Sequence, residues 1–308
     1  MKKTILLLGG FGFIGSNLIK YIDAHLSAEY SVIVFDKYAH HPYGLCFDSI
    51  VRSYAGDFMD WAMIEKIFNE NHIDIVIHSL STTVPIDSMN AIYDIESNLI
   101  PTLNMLNVML KYDVKNIVYF SSGGAVYGTD EKLHKETDDV FPISSYGVVK
   151  LSIEKYLMQY AEMYGLNPLI LRVSNPYGRY HYSMKQGVIN VAMRSACNNE
   201  EFEVWGEGNS RKDYIYVDDL IDILFQLINK NIWREVINVA SGILLSVNEI
   251  IEHIKTIEST FSIKYNNQRK FDVTKFALDT SKLFSIIAPF SFTPLSDGVK
   301  EVYSWIKM

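Results

Sequence analysis

Seven residues, Gly9-Gly10-Phe11-Gly12-Phe13-Ile14-Gly15, join an apolar run at residues 4–8 to a helical pattern beginning at residue 14. Glycines at 9, 12 and 15 allow a tight turn, a close approach of another group to the backbone, and close packing of the helix on the strand. Such a junction restricts the chain to a βα unit, and the same alternation then repeats. Short apolar or β-branched runs at residues 31–35, 52–55, 73–78, 116–120 and 168–173 predict further strands. Helical patterns at 14–26, 60–71, 98–112 and 146–164 lie between them. This alternation predicts an α/β fold, a Rossmann-type doubly wound parallel sheet with helices on both faces. After Asn175 the pattern becomes irregular, with helices at 217–228 and 246–257 and a late strand at 236–239. We read residues 1–174 as the sheet domain, with returning segments near 213–241. Residues 175–212 and 242–308 form a smaller, partly interleaved lobe.

The glycine turn also carries chemistry. A helix N-terminus offers unpaired N–H groups and a positive dipole end to phosphates. A glycine-rich turn without a ligand is the plain alternative. The context favours a dinucleotide, because Asp36 ends the second strand where an acid binds the adenosine ribose hydroxyls. Its charge would repel a 2′-phosphate, which favours NAD over NADP; Lys37 beside it acts against that preference. A second pair, Tyr146 and Lys150, is four residues apart and shares one face of a helix. A Lys ammonium together with an oxidised nicotinamide would pull the phenol below its usual value of about 10 and make it a general base. With twenty tyrosines in the chain the spacing alone is weak, and a packed Tyr beside a solvated Lys is the alternative. Its place after the fifth strand favours the catalytic reading.

Bulk properties narrow the field. The net charge is −8 with no basic run, so nucleic acid is not an expected partner. An anionic substrate must be held by a few placed donors. Cys46 and Cys197 stand outside any motif, which suggests a reducing compartment. The first apolar run stops at Gly9, too short for a signal peptide, and no stretch approaches membrane-spanning length. We expect a cytoplasmic protein that binds no metal and no membrane.

These residues resemble the extended short-chain dehydrogenases, the NAD-dependent epimerase/dehydratase group, and within it the UDP-glucose 4-epimerase-like branch. The resemblance runs almost end to end. It includes the glycine turn, Gly56-Asp57, Val76-Ile77-His78, Asn98, Ser121-Ser122-Gly123-Gly124-Ala125-Val126-Tyr127-Gly128, Tyr146 with Lys150, and Leu171-Arg172. It continues through Asn175-Pro176-Tyr177-Gly178, Asp213-Tyr214-Ile215-Tyr216-Val217-Asp218-Asp219, Arg269-Lys270-Phe271-Asp272-Val273 and Leu278-Asp279-Thr280-Ser281-Lys282. The resemblance implies NAD as cofactor and a nucleotide-diphosphate sugar as substrate. It implies Tyr146 as base, Lys150 as its tuner and ribose contact, and Asp57 on the adenine. It also implies cofactor contacts from Gly9, Gly12, Phe13, Ile14, Gly15, Asp36, Phe58, Leu80 and Thr82, with Asn98 supporting the active-site network. Substrate contacts would come from Thr83, Asn175, Val188 and Trp205, the last flanking the nucleobase, and from Arg269 on the diphosphate with Asp272 orienting nearby groups. The other places open to them are the core for Trp205 and the surface for Arg269. The resemblance further implies a homodimer paired through helices 98–112 and 146–164, with Met105, Met109, Met158 and Tyr160 as surplus apolar residues.

Two departures matter. The family's bridging Ser or Thr falls at Gly123, so the hydroxyl must come from Ser122, from water, or from nowhere. Ser122 would reach the site only if the chain has left regular strand geometry there, and Gly123→Ser would then raise activity. Lys212 stands where the family commonly has a phosphate-binding Arg; Arg211 just before it could substitute. Dehydratases of the group carry acids where this chain has Gly124 and Ala125, so dehydration is not expected. A 4-epimerase, a reductase of a nucleotide-linked 4-keto-6-deoxy sugar, and a catalytically weak NAD-binding regulator remain. Phe276, by the resemblance, gates room beside sugar C2 and hints at a plain or deoxy hexose. The nucleobase stays open, with uridine the family default.

Overall fold

The computed structural model describes residues 2–84, 90–184, 186–267 and 275–308. Seven parallel strands form the main sheet: β1 Lys3–Leu8, β2 Tyr30–Asp36, β3 Ile50–Ala55, β4 Ile75–His78, β5 Asn116–Ser122, β6 Asn167–Val173 and β7 Glu235–Val239, in the spatial order β7-β6-β5-β4-β1-β2-β3. The expected alternation is present, with strand ends shifted by one or two residues. Successive side chains on a strand face opposite sides of a sheet. Ile5, Leu7, Val32 and Val34 accordingly enter the core on one face, while Leu6, Leu8, Ile33 and Phe35 enter the core on the other. A sheet buried on both sides needs such continuous apolar runs.

Helices cover both faces. α1 (Phe13–Tyr21) and α6 (Val217–Asn229) pack on the first core; α2 (Trp61–Glu70), α3 (Ile100–Lys111) and α4 (Ser145–Tyr164) pack on the second. α1 continues as a π-helical turn over Ile22–Leu26, and another at Ile95–Leu99 leads into α3. Met105 and Met109 are fully buried against the sheet, and Met158 and Tyr160 pack on the same core. Of the residues named above as surplus, Met105 and Met109 therefore face inward, because the sheet itself needs them, while Met158 and Tyr160 are half-buried. The exposed apolar residues of α3 and α4 are Ile100, Val148, Tyr156, Met163 and Tyr164.

The second lobe is built from short strands that the irregular sequence pattern did not reveal. Arg211–Tyr216 pairs with Asn175–Tyr177, Leu244–Ser246 and Lys275–Leu278, and the last pairs with Leu133–His134. Phe202–Trp205 pairs with Ile263–Asn266. Helices α5 (Val188–Asn198), α7 (Val247–Lys255) and α8 (Leu295–Lys307) close a third core around Ile189, Met193, Ile250 and Val299. Leu283 and Ile287 pack back into the core under the large sheet. Among the described residues no helix is long and apolar enough to cross a membrane.

Candidate active site

All seven strands of the main sheet run parallel, so their carboxyl ends share one edge, the place where open α/β sheets bind ligands. A cleft of about 1370 Å³ opens there and runs on into the second lobe.

The glycine turn forms one end. Gly9 takes φ +76, and a Cβ there would lie 2.9 Å from the Leu80 Cα. A Cβ at Gly15 would collide with the Gly9 and Gly10 carbonyls, so the helix can approach the turn only without a side chain. Gly12 caps α1 with no side-chain hydrogen bond, leaving the first N–H groups of the helix to whatever enters the cleft. This cradle fits a dinucleotide diphosphate. Asp36 is buried at the end of β2, where it accepts from the Phe11 N–H (3.0 Å) and the Tyr38 N–H (3.3 Å). Burial pushes its carboxyl up, and those N–H groups oppose the shift. Phe13, Ile14, Asp57, Phe58, Leu80, Thr82 and Thr83 also line the cleft. Asn98 lies behind this wall and ties down the loop after β4: its Oδ1 accepts from the Thr82 N–H (2.9 Å) and its Nδ2 donates to Thr82 Oγ1 (2.6 Å).

Tyr146 and Lys150 stand mid-cleft on the first turns of α4. The Ser144 hydroxyl starts that helix by accepting from the Gly147 N–H (3.1 Å). Lys150 Nζ donates to the Phe120 carbonyl (2.9 Å) and lies 5.7 Å from the centre of the Tyr146 ring. Burial pushes the Tyr146 phenol up to about 12. Burial also pulls the Lys150 ammonium down to about 8, with Glu154 one turn on opposing it. The expected lowering of the tyrosine is thus not achieved by protein groups, because desolvation dominates at so enclosed a site.

Ser122 lines the cleft and Gly123 does not. Ser122 is still regular strand, with φ −131 and ψ 111. The departure from strand geometry anticipated above is unnecessary, because the cleft opens at the end of β5 itself. Neighbouring Ser121 donates to Glu154 Oε1 (2.5 Å), and Glu154 is bound in turn by Arg172. A Cβ at Gly123 would point at Leu278, 2.8 Å from its Cδ1. A serine there would crowd the Leu278 side chain, so the structure gives no support to the gain expected from Gly123→Ser.

On the substrate side, Asn175, Lys212 and Phe276 line the cleft. Asn175 Nδ2 donates to the Asp213 carbonyl (2.8 Å). Lys212 and Phe276 are register partners on adjacent strands, and Phe276 reaches beside Gly124. Three other expected residues do not line the cleft among the described residues. Arg211 is turned away by strand alternation and gives its guanidinium to both Glu249 oxygens (2.6 Å each). Val188 begins α5 and packs on the third core. Trp205, at the end of its strand and 41 % exposed, is not among the lining residues. Arg269 and Asp272 lie outside the described residues. Sequence reasoning missed a run of wall residues, Tyr43, Tyr180, His181 and Tyr182 among them. The signal for Tyr180, His181 and Tyr182 was the density of aromatics just after Asn175-Pro176-Tyr177-Gly178; Tyr43 had none.

A family model described as the NAD dependent epimerase/dehydratase family matches residues 5–240. A putative UDP-glucose 4-epimerase of Methanocaldococcus jannaschii is 33% identical, covering 98% of both chains. A dTDP-4-dehydro-6-deoxyglucose reductase of Escherichia coli is 29% identical over 82% of this chain and 81% of its own. Among solved structures, the UDP-glucose 4-epimerase of Thermotoga maritima with UDP-glucose superposes with a TM-score of 0.91 at 30% identity, covering 99% of this chain and 98% of that one. The chain belongs to the NAD dependent epimerase/dehydratase family and is an enzyme whose cofactor is NAD.

Proposed function

We propose that the protein is a nucleotide-sugar 4-epimerase acting on a UDP-hexose by transient oxidation at C4. The observation that carries this reading is the continuity of one cleft. The glycine turn and Asp36 form one end, Ser122, Tyr146 and Lys150 the middle, and Asn175, Lys212 and Phe276 the other end. Its volume exceeds what a single small ligand needs and suits a dinucleotide together with a nucleotide sugar. The full-length identity to a relative named as a 4-epimerase supports the reading, as do Gly124 and Ala125 where a dehydratase would need acids.

In this reading Tyr146 takes the proton of the sugar C4 hydroxyl, and Ser122 bridges that oxygen and the phenol. Lys150, steadied by the Phe120 carbonyl, biases the phenol toward its anion. Bound NAD supplies reversible hydride acceptance from C4. Lys212 and Asn175 hold the diphosphate region while the keto-sugar turns over, and Phe276 limits the space beside C2. The division of labour follows the cleft: strand ends of residues 1–174 seat the cofactor, and Asn175, Lys212 and Phe276 seat the sugar nucleotide. We further propose a homodimer, now resting on the outward stripe Val148, Tyr156 and Met163 of α4 with Ile100 of α3.

The E. coli relative named as a reductase keeps a second reading in play, a one-way reduction of a 4-keto-6-deoxy sugar. Incubation of purified protein with a panel of nucleotide sugars separates the two. Epimer formation by NMR without net NADH change supports the epimerase. Stoichiometric NADH consumption with a keto-sugar overturns it.

A further inference from the structure

Two arms of chain leave the protein on either side of the glycine turn and meet above it. Both are anchored to consecutive residues of α1. On one side, the His41 ring is fixed by Ser16: Nδ1 accepts from the Tyr43 N–H (3.2 Å), so Nε2 carries the proton and donates to Ser16 Oγ (3.1 Å). On the other side, Asn17 Nδ2 donates to the Arg179 carbonyl (2.7 Å). The chain turns at Tyr180, where φ is +61, and His181 lies on the Phe13 ring at 4.5 Å. The arms end in two tyrosines whose rings stack, Tyr43 on Tyr182, with centroids 3.5 Å apart and planes 15° from parallel. Trp305 of α8 backs Tyr182 edge-on at 5.1 Å. Both tyrosines line the same cleft as Gly9, Gly12 and Asp36.

We propose that the Tyr43–Tyr182 stack is a clasp over the NAD diphosphate seat, so that cofactor enters and leaves only when the two rings part. The inference rests on the cofactor seat described above. Among the described residues no disulfide and no ion pair joins Tyr43 to Tyr182. The gap between the two arms is crossed by that stack and by looser contacts of His41 with Tyr180 and Tyr182, each at 6.4 Å, an aromatic closure strong enough to hold most of the time and weak enough to open. Such a device suits an enzyme that regains its cofactor in each cycle and has no need to exchange it. It would hinder one that must release NAD after every turnover.

The test is the kinetics of NAD exchange on the purified protein, followed by stopped-flow with the fluorescence of Trp305 or of NADH. Removing a gate raises association and dissociation rates together, whereas removing an ordinary contact raises only dissociation. Tyr182→Ala and Tyr43→Ala are each expected to raise both rates about three- to tenfold, the scale of one aromatic pair. Tyr182→Phe keeps the stack and is expected to match the wild type. Unchanged rates in the alanine variants, or faster dissociation with unchanged association, overturn the clasp. Failure of the wild type to bind NAD in calorimetry would overturn the cofactor seat itself, which the variant rates do not probe.

Discussion

The two ends of the cleft are made in different ways. The cofactor end is assembled from successive strand ends: Gly9 follows β1, Asp36 closes β2, Asp57 follows β3 and Leu80 follows β4. Each is delivered by its own βα unit to one edge. The substrate end takes Asn175, Lys212 and Phe276 from three separated stretches, aligned only by pairing between short strands. Local geometry determines the first end and tertiary pairing the second, so substitutions at one end should leave the other intact. Tyr146, where the ends meet, gives the largest effect. Tyr146→Phe is expected to lower turnover roughly a hundred- to ten-thousandfold by removing proton transfer. NAD affinity, held by the glycine turn and Asp36, is expected to stay within a factor of two or so. A parallel loss of NAD binding in calorimetry would break the separation.

Two neighbours on β5 sharpen it. Ser122→Ala is expected to lower kcat roughly ten- to a hundredfold if its hydroxyl makes the bridge. Gly123→Ser is expected to give no activity gain. Its new side chain meets Leu278 at 2.8 Å and destabilises the fold by about 1–3 kcal/mol, the usual cost of overpacking. Thermal unfolding and steady-state rates read both. A Gly123→Ser enzyme that is faster and equally stable would mean that the wall here is built from the other residue.

The same contrast explains what could be read from sequence. The sheet was legible because a strand buried on both faces writes itself as an unbroken apolar run, as in Ile5-Leu6-Leu7-Leu8 and Val76-Ile77. Gly9, Asp36, Tyr146 and Lys150 followed from their fixed offsets to those strands. The second lobe's strands span only two to six residues and pair with partners remote in sequence, so no period reveals them. Arg211 turns away from the cleft for that reason, its facing set by pairing and not by local pattern, while Val188 starts a helix oriented by the third core. The raised Tyr146 phenol was also illegible, because desolvation depends on every element packed around it. Arg269 and Asp272, expected at the substrate end, lie outside the described residues and stay proposals.

The pair at mid-cleft predicts a pH response. Lys150 acts as an ammonium, and its value is pulled down to about 8 by burial. The Tyr146 phenol, pushed up to about 12, must lose its proton while Lys150 keeps its own. The active fraction therefore rises with pH up to about 8 and levels off above it, where each unit gains in tyrosinate what it loses in ammonium. The profile of kcat/KM for the enzyme is expected to show this rise and a break near 8. Lys150→Met should lower the rate and remove the break, so that the rise continues. A break near 8 that persists in Lys150→Met would assign the titration to another group.

The smallest effects come from adjacent residues that strand alternation sends opposite ways. Lys212 lines the cleft beside its register partner Phe276, while Arg211 is committed to Glu249. A single ammonium on a diphosphate makes charge-assisted hydrogen bonds, and their loss weakens binding roughly tenfold. Lys212→Ala should therefore raise KM for the sugar nucleotide by about that factor while kcat and NAD affinity hold. Arg211 and Glu249 are each close to half exposed, and such pairs contribute about 0–1 kcal/mol to stability. Arg211→Ala should accordingly leave KM unchanged and shift the unfolding midpoint by a degree or two at most. The two variants differ by one position in the chain, so the comparison isolates facing from charge. If Arg211→Ala raises KM as much as Lys212→Ala, the guanidinium leaves Glu249 when substrate binds. The substrate end would then be assembled by the ligand, in contrast to a cofactor end that is preformed.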